Sequence, residues 1–187
     1  MDEKDEIMDQ AIYGSMNISM EYYLIALLLM LATGFVCFYR KRDILVSVSW
    51  GLLVGYIFLI FASTVITRTA KADYDFEWRP FWSYVAIKEG KEYLLSLNIA
   101  NVLMLMPVGF LSSCIRDMDC KKAVWVGVLV SSVIEVSQLV LKRGLFEFDD
   151  IFHNTLGCVV GYLIYKLLEC SREKMGVKEK GDTPKGN

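Results

Sequence analysis

The sequence predicts an all-α, polytopic membrane bundle of about five transmembrane helices, with the N-terminus outside and the C-terminus inside. Three observations carry that prediction. Five continuous apolar runs, Tyr22–Tyr39, Ile44–Ile66, Ile99–Ile115, Ala123–Leu141 and Ile151–Leu168, lie in a 187-residue chain that is 55% hydrophobic. Crossing ~30 Å of hydrocarbon takes roughly 17–25 helical residues, and none of the runs shows the alternation of a barrel strand. Most of the 20 Lys and Arg collect on one side if the five helices alternate in direction.

Residues 1–21 form an acidic arm with Asp2, Glu3, Asp5, Glu6, Asp9 and Glu21 against Lys4. A cleaved secretory signal carries a basic start, so the arm is expected to stay outside and the first span to serve as an uncleaved anchor. Arg40, Lys41 and Arg42 follow that span and hold its end in the cytoplasm. The second span contains Gly51-x-x-x-Gly55 and ends outside at Arg68. The segment from Thr69 to Leu97 reads as interfacial. Trp78, Pro80, Phe81, Trp82 and Tyr84 suit the headgroup level, and Lys88–Leu97 reads as a short amphipathic surface helix.

The third span carries Asn98, Asn101 and Pro107, a proline expected to kink the helix. Arg116, Lys121 and Lys122 separate it from the fourth span, in which Glu135 and Gln138 share one face at i, i+3. Arg143 follows. The fifth span opens with Asp149 and Asp150, adds Asn154 one turn in and contains Gly157-x-x-x-Gly161. Both glycine pairs are expected to serve helix packing. Residues 169–187 form a basic tail, expected to be disordered and cytoplasmic. Cys37, Cys114, Cys120, Cys158 and Cys170 all avoid the predicted outer loops, as free thiols would.

Polar groups inside apolar spans are costly and need partners or a function. In this topology Asn98, Asn101, Glu135, Gln138, Asp149, Asp150 and Asn154 converge in the outer half of the bilayer. Glu135 lies about 10 Å below the surface by helical rise. Arg68 and Arg143 stand at the same rim. The candidate catalytic set is Glu135 as acid/base with Gln138, Asp149 and Asp150. The candidate ligand-binding set is Arg68, Asn98, Asn101, Arg143 and Asn154, because guanidinium forks suit phosphate or carboxylate. Arginine–aspartate pairing within the protein is the alternative use of the two arginines. His153 is the one histidine, and no metal site is assigned to it. Nothing supports nucleic-acid binding, and no cofactor is indicated.

The Arg68 helix end, Arg79-Pro80-Phe81, Asn98-Ile99, Pro107-Val108-Gly109, Glu135-x-x-Gln138, Arg143 and Asp149-Asp150-x-x-x-Asn154-Thr155-x-Gly157 occur in this order. Together they resemble the VanZ-like family of bacterial membrane proteins over roughly residues 60–168, within a membrane domain of residues 22–168. The family takes its name from an accessory determinant of teicoplanin resistance. The resemblance therefore implies a multi-pass protein of the bacterial plasma membrane with a cell-envelope role, including glycopeptide antibiotic resistance. Three function classes stay open. The chain is an enzyme acting on a lipid-linked cell-wall precursor, a binding or flippase-like transport protein for an anionic headgroup, or a structural partner of envelope machinery.

Overall fold

The computed structural model describes residues 18–41 and 43–181, so nearly all of the acidic arm and residues 182–187 of the tail lie outside the described residues. Five described helices are long and apolar enough to cross a membrane. Helix α1 (Met20–Lys41) packs along α2 (Ile44–Phe61), whose first turn is capped by Asp43 accepting from the Val46 amide at 3.1 Å. The Gly51/Gly55 pair lies at this contact, where a side chain would press on the backbone of Met30 and Ala26. The outward face of α1, with Leu24, Leu28, Leu31 and Phe35, is exposed, as a lipid-facing helix requires.

At its far end α2 widens into a π-helical turn, Ala62–Ile66. Ser63 and Thr64 return their hydroxyls to the Ile60 carbonyl at 2.9 and 2.8 Å, and because the helix ends at Ile66 the carbonyls of Thr64, Val65 and Ile66 take partners from elsewhere. The chain then forms β1 (Asp75–Glu77), a short helix α3 (Trp82–Lys88) and the third long helix, α4 (Tyr93–Ile115). The amphipathic helix expected over Lys88–Leu97 does not form. Gly90 adopts φ +100, which ends α3, and Leu94 is already buried inside α4. The surface helix sits one step earlier in the chain, and α4 continues through Pro107.

Helix α5 (Cys120–Val140) starts on Asp119, which accepts from the Lys122 amide at 2.8 Å. β2 (Leu145–Glu147) pairs in parallel with β1, Glu77 opposite Glu147, and leads straight into α6 (Phe148–Gly181). The last helix runs well past Glu169 into the segment expected to be disordered, because extending a formed helix gains a backbone bond for each residue fixed. Helices α4 and α6 make the most extensive contact in the fold. Gly157 and Gly161 sit against the Val102 and Met106 carbonyls, and Gly109 sits against the Cys158 backbone. A side chain at any of the three would force the helices apart. Leu53, Ile60, Val65, Leu105, Val108 and Ile134 form the core beneath the β1–β2 end.

Candidate functional site

The β1–β2 end of the bundle gathers the polar residues, and their hydrogen bonds divide them into two groups. The first group is committed to holding the fold. Asp149, in the first turn of α6, accepts from the Phe81 amide, from the Ser83 amide at 3.0 Å and from the Ser83 hydroxyl. Its carboxylate thus caps α3, which has no side-chain cap of its own. Phe81 is held at φ +61, a left-handed conformation that costs an aromatic residue roughly 1–3 kcal/mol. Asn98 extends the cap by donating to the Ser83 hydroxyl at 3.2 Å.

Gln138 donates to the Thr64 carbonyl at 3.0 Å. Arg143 donates through Nη1 to the Val65 carbonyl at 3.2 Å and to the Ile66 carbonyl. Both bonds use carbonyls exposed by the π turn and tie the end of α2 to the end of α5. Asn154 donates to Ser131 at 2.9 Å and joins α6 to α5, while its Oδ1 has no partner although the residue is 1% exposed.

The second group is less committed. Glu135 is 2% exposed and accepts one bond, from the Glu147 amide at 3.1 Å. Asp150 accepts from Asn101 at 2.6 Å. Arg68 is half-buried and exerts its positive field on both Glu135 and Asp150. Among the described residues it makes no ion pair and donates no hydrogen bond. Among the described residues neither arginine forms an ion pair with Asp149 or Asp150: Asp149 is turned to α3, Arg143 to the π turn, and Arg68 acts on Asp150 through its field alone.

Glu147 escaped sequence reasoning, yet it belongs here. Its carboxyl lies among Asp150, Asp149 and Glu77, with the buried indole Nε1 of Trp82 turned toward it short of full hydrogen-bond geometry. Burial, reinforced by the Asp150 charge, pushes it up to about 8. The only local signal was the run Leu145-Phe146-Glu147-Phe148, whose alternation suggests a strand but does not say which face meets the bundle. Ser83, Ser131 and Thr64 were missed as well, because small hydroxyls in apolar or aromatic segments read as filler. His153 is 2% exposed and faces the Tyr84 hydroxyl at 2.8 Å, closing the aromatic side of the α3 cap.

The arrangement can present one guanidinium beside the carboxyl groups of Glu135 and Asp150. A model of the VanZ/LLP1 family matches residues 22–169, which extends upstream of the resemblance read from the motifs to take in α1 and α2. No curated protein and no solved structure matches the chain.

Proposed function

The chain belongs to the VanZ-like family of membrane proteins, and from that premise we propose that it serves the bacterial cell envelope by receiving an anionic headgroup at Arg68. The observation that carries this reading is the division of the polar cluster. Asp149, Asn98, Gln138, Arg143 and Asn154 spend hydrogen bonds on the protein, whereas Arg68 donates none among the described residues. A guanidinium held beside buried acids, with donors to spare, suits a phosphate or carboxylate. Glu135, Glu147 and Asp150 in their neutral forms add O–H donors to the same oxygens. Glu135, with a single bond from Glu147, is the group best able to give or take a proton.

With the N-terminus outside, this end of the bundle faces the outer leaflet of the plasma membrane, where lipid-linked cell-wall precursors carry phosphates. A protective effect against teicoplanin-type glycopeptides is then a consequence of handling such a ligand. The purely structural reading has its own support at Asp149, Gln138 and Arg143, whose bonds are those of a polar lock, and it is assigned to them alone. Glu135→Gln and Arg68→Lys, expressed at wild-type level in cells lacking the gene, test the proposal. Both variants should insert normally and leave glycopeptide susceptibility at the deletion level. Full restoration by both, or a deletion without any envelope phenotype, would refute it.

A further inference from the structure

The backbones of α2 and α5 stay apart below the π turn, and an apolar groove of about 200 Å³ runs between the two helices. Ile57, Ile60 and Phe61 form one wall and Val130, Val133 and Ile134 the other. Three seams of the bundle are closed by glycine: α1 against α2 at Gly51 and Gly55, α4 against α6 at Gly157 and Gly161, and α5 against α6 at Gly127. This seam stays open, and Val133, 59% exposed, marks its lipid side.

The groove lies about one helical turn below the Thr64–Gln138 bond of the polar cluster. Glu135 follows Ile134 in the chain, and Gln138 lies one turn further along α5. Gln138 and Arg68 flank Gly144, where a Cβ would stand 3.1 Å from the Gln138 carboxamide carbon and 3.3 Å from Arg68 Nη1. Above the groove, Gln138 and Arg143 bind the carbonyls of the π turn and bar entry along the helix axis. A chain lying in the groove would therefore approach Arg68 sideways from the bilayer.

We infer that the α2–α5 groove seats one hydrocarbon chain of a lipid whose anionic headgroup binds Arg68, so that the ligand enters laterally between these helices. The inference rests on the headgroup reading above and adds where the chain lies. A hydrocarbon chain is the occupant that matches both ends. It fills a wholly apolar wall without leaving a polar group unpaired, and it delivers a charge to Arg68, the arginine at this end of the bundle that donates no hydrogen bond among the described residues.

The test uses the full chain in phosphatidylcholine nanodiscs with a hexadecyl phosphate carrying a mid-chain diazirine. The matching diazirine alcohol and inorganic phosphate serve as controls. Irradiation should place saturable adducts on Ile57, Phe61 and Val133, above the level at lipid-facing Leu163. Val130→Trp, which fills the groove, should return them to that level, with Ile57→Trp from the other wall as a second variant should the first not insert. Arg68→Ala should raise the half-saturating concentration by about tenfold or more, the loss of one charge-assisted hydrogen bond. Saturable, Arg68-dependent labelling that falls outside the groove, or survives both tryptophans, overturns the chain placement alone. Displacement by inorganic phosphate as readily as by unlabelled hexadecyl phosphate does the same. Equal labelling by alcohol and phosphate, unchanged in Arg68→Ala, overturns the headgroup reading and the lipid assignment with it.

Discussion

Asp149→Asn is the substitution that most directly separates a structural carboxylate from a working one. In the native protein one oxygen takes the Phe81 amide, and the other takes both the amide and the hydroxyl of Ser83. Asparagine keeps one acceptor oxygen and replaces the other by an NH₂ that cannot accept. The Ser83 hydroxyl can turn round and accept from it, but the Ser83 amide, in a residue 2% exposed, loses its partner. A bond to a charged acceptor contributes about 1.5–3 kcal/mol, and the surviving Phe81 bond weakens as its acceptor becomes neutral. Local opening of α3 should therefore become easier by about 3 kcal/mol, or roughly a hundredfold. The strain at Phe81 works in the same direction, because a left-handed aromatic persists only while its surroundings hold it. Hydrogen exchange in nanodiscs should show the Phe81 and Ser83 amides exchanging about a hundredfold faster, with the α4–α6 contact around Val102 and Gly157 unchanged. Unchanged protection at both amides would refute the capping role and return Asp149 to the candidate catalytic set.

Glu147→Gln should alter the pH dependence of stability. The folded protein keeps a proton on Glu147 up to about pH 8, whereas the unfolded chain releases it near 4.5, so wild-type stability should fall as pH rises through that window and level off above it. The variant should lack this part of the slope, and thermal unfolding in detergent at stepped pH would show its advantage growing until about 8; parallel curves would contradict it. Reporter fusions at Asp119 and at Gly90 should report cytoplasmic and extracytoplasmic locations respectively, and an extracytoplasmic signal at Asp119 would reverse the proposed orientation.

The five spans were legible in the sequence because each is a local property. A long apolar run in lipid has to become a helix to satisfy its own backbone, whatever its neighbours do. The glycine pairs announced close packing for the same local reason. The sequence also marked the polar residues of α4, α5 and α6 as unusual, and Glu135 and Asp150 do lie buried or half-buried at one end of the bundle. It could not say what each polar group would meet. Asp149 and Asp150 are adjacent in sequence, yet helical rotation turns one onto α3 and the other onto Asn101 of α4. Arg68 and Arg143 look interchangeable as rim arginines. The π turn places its carbonyls where Arg143 can reach them, and Arg68 remains with its donors free. Glu147 is an ordinary strand residue until the β1–β2 pairing turns it into the acidic cluster beside Trp82. Span formation depends on the affinity of a segment for lipid, which composition records. The use of each polar side chain depends on donors and acceptors brought in from distant parts of the chain, and those meet only once the helices have packed.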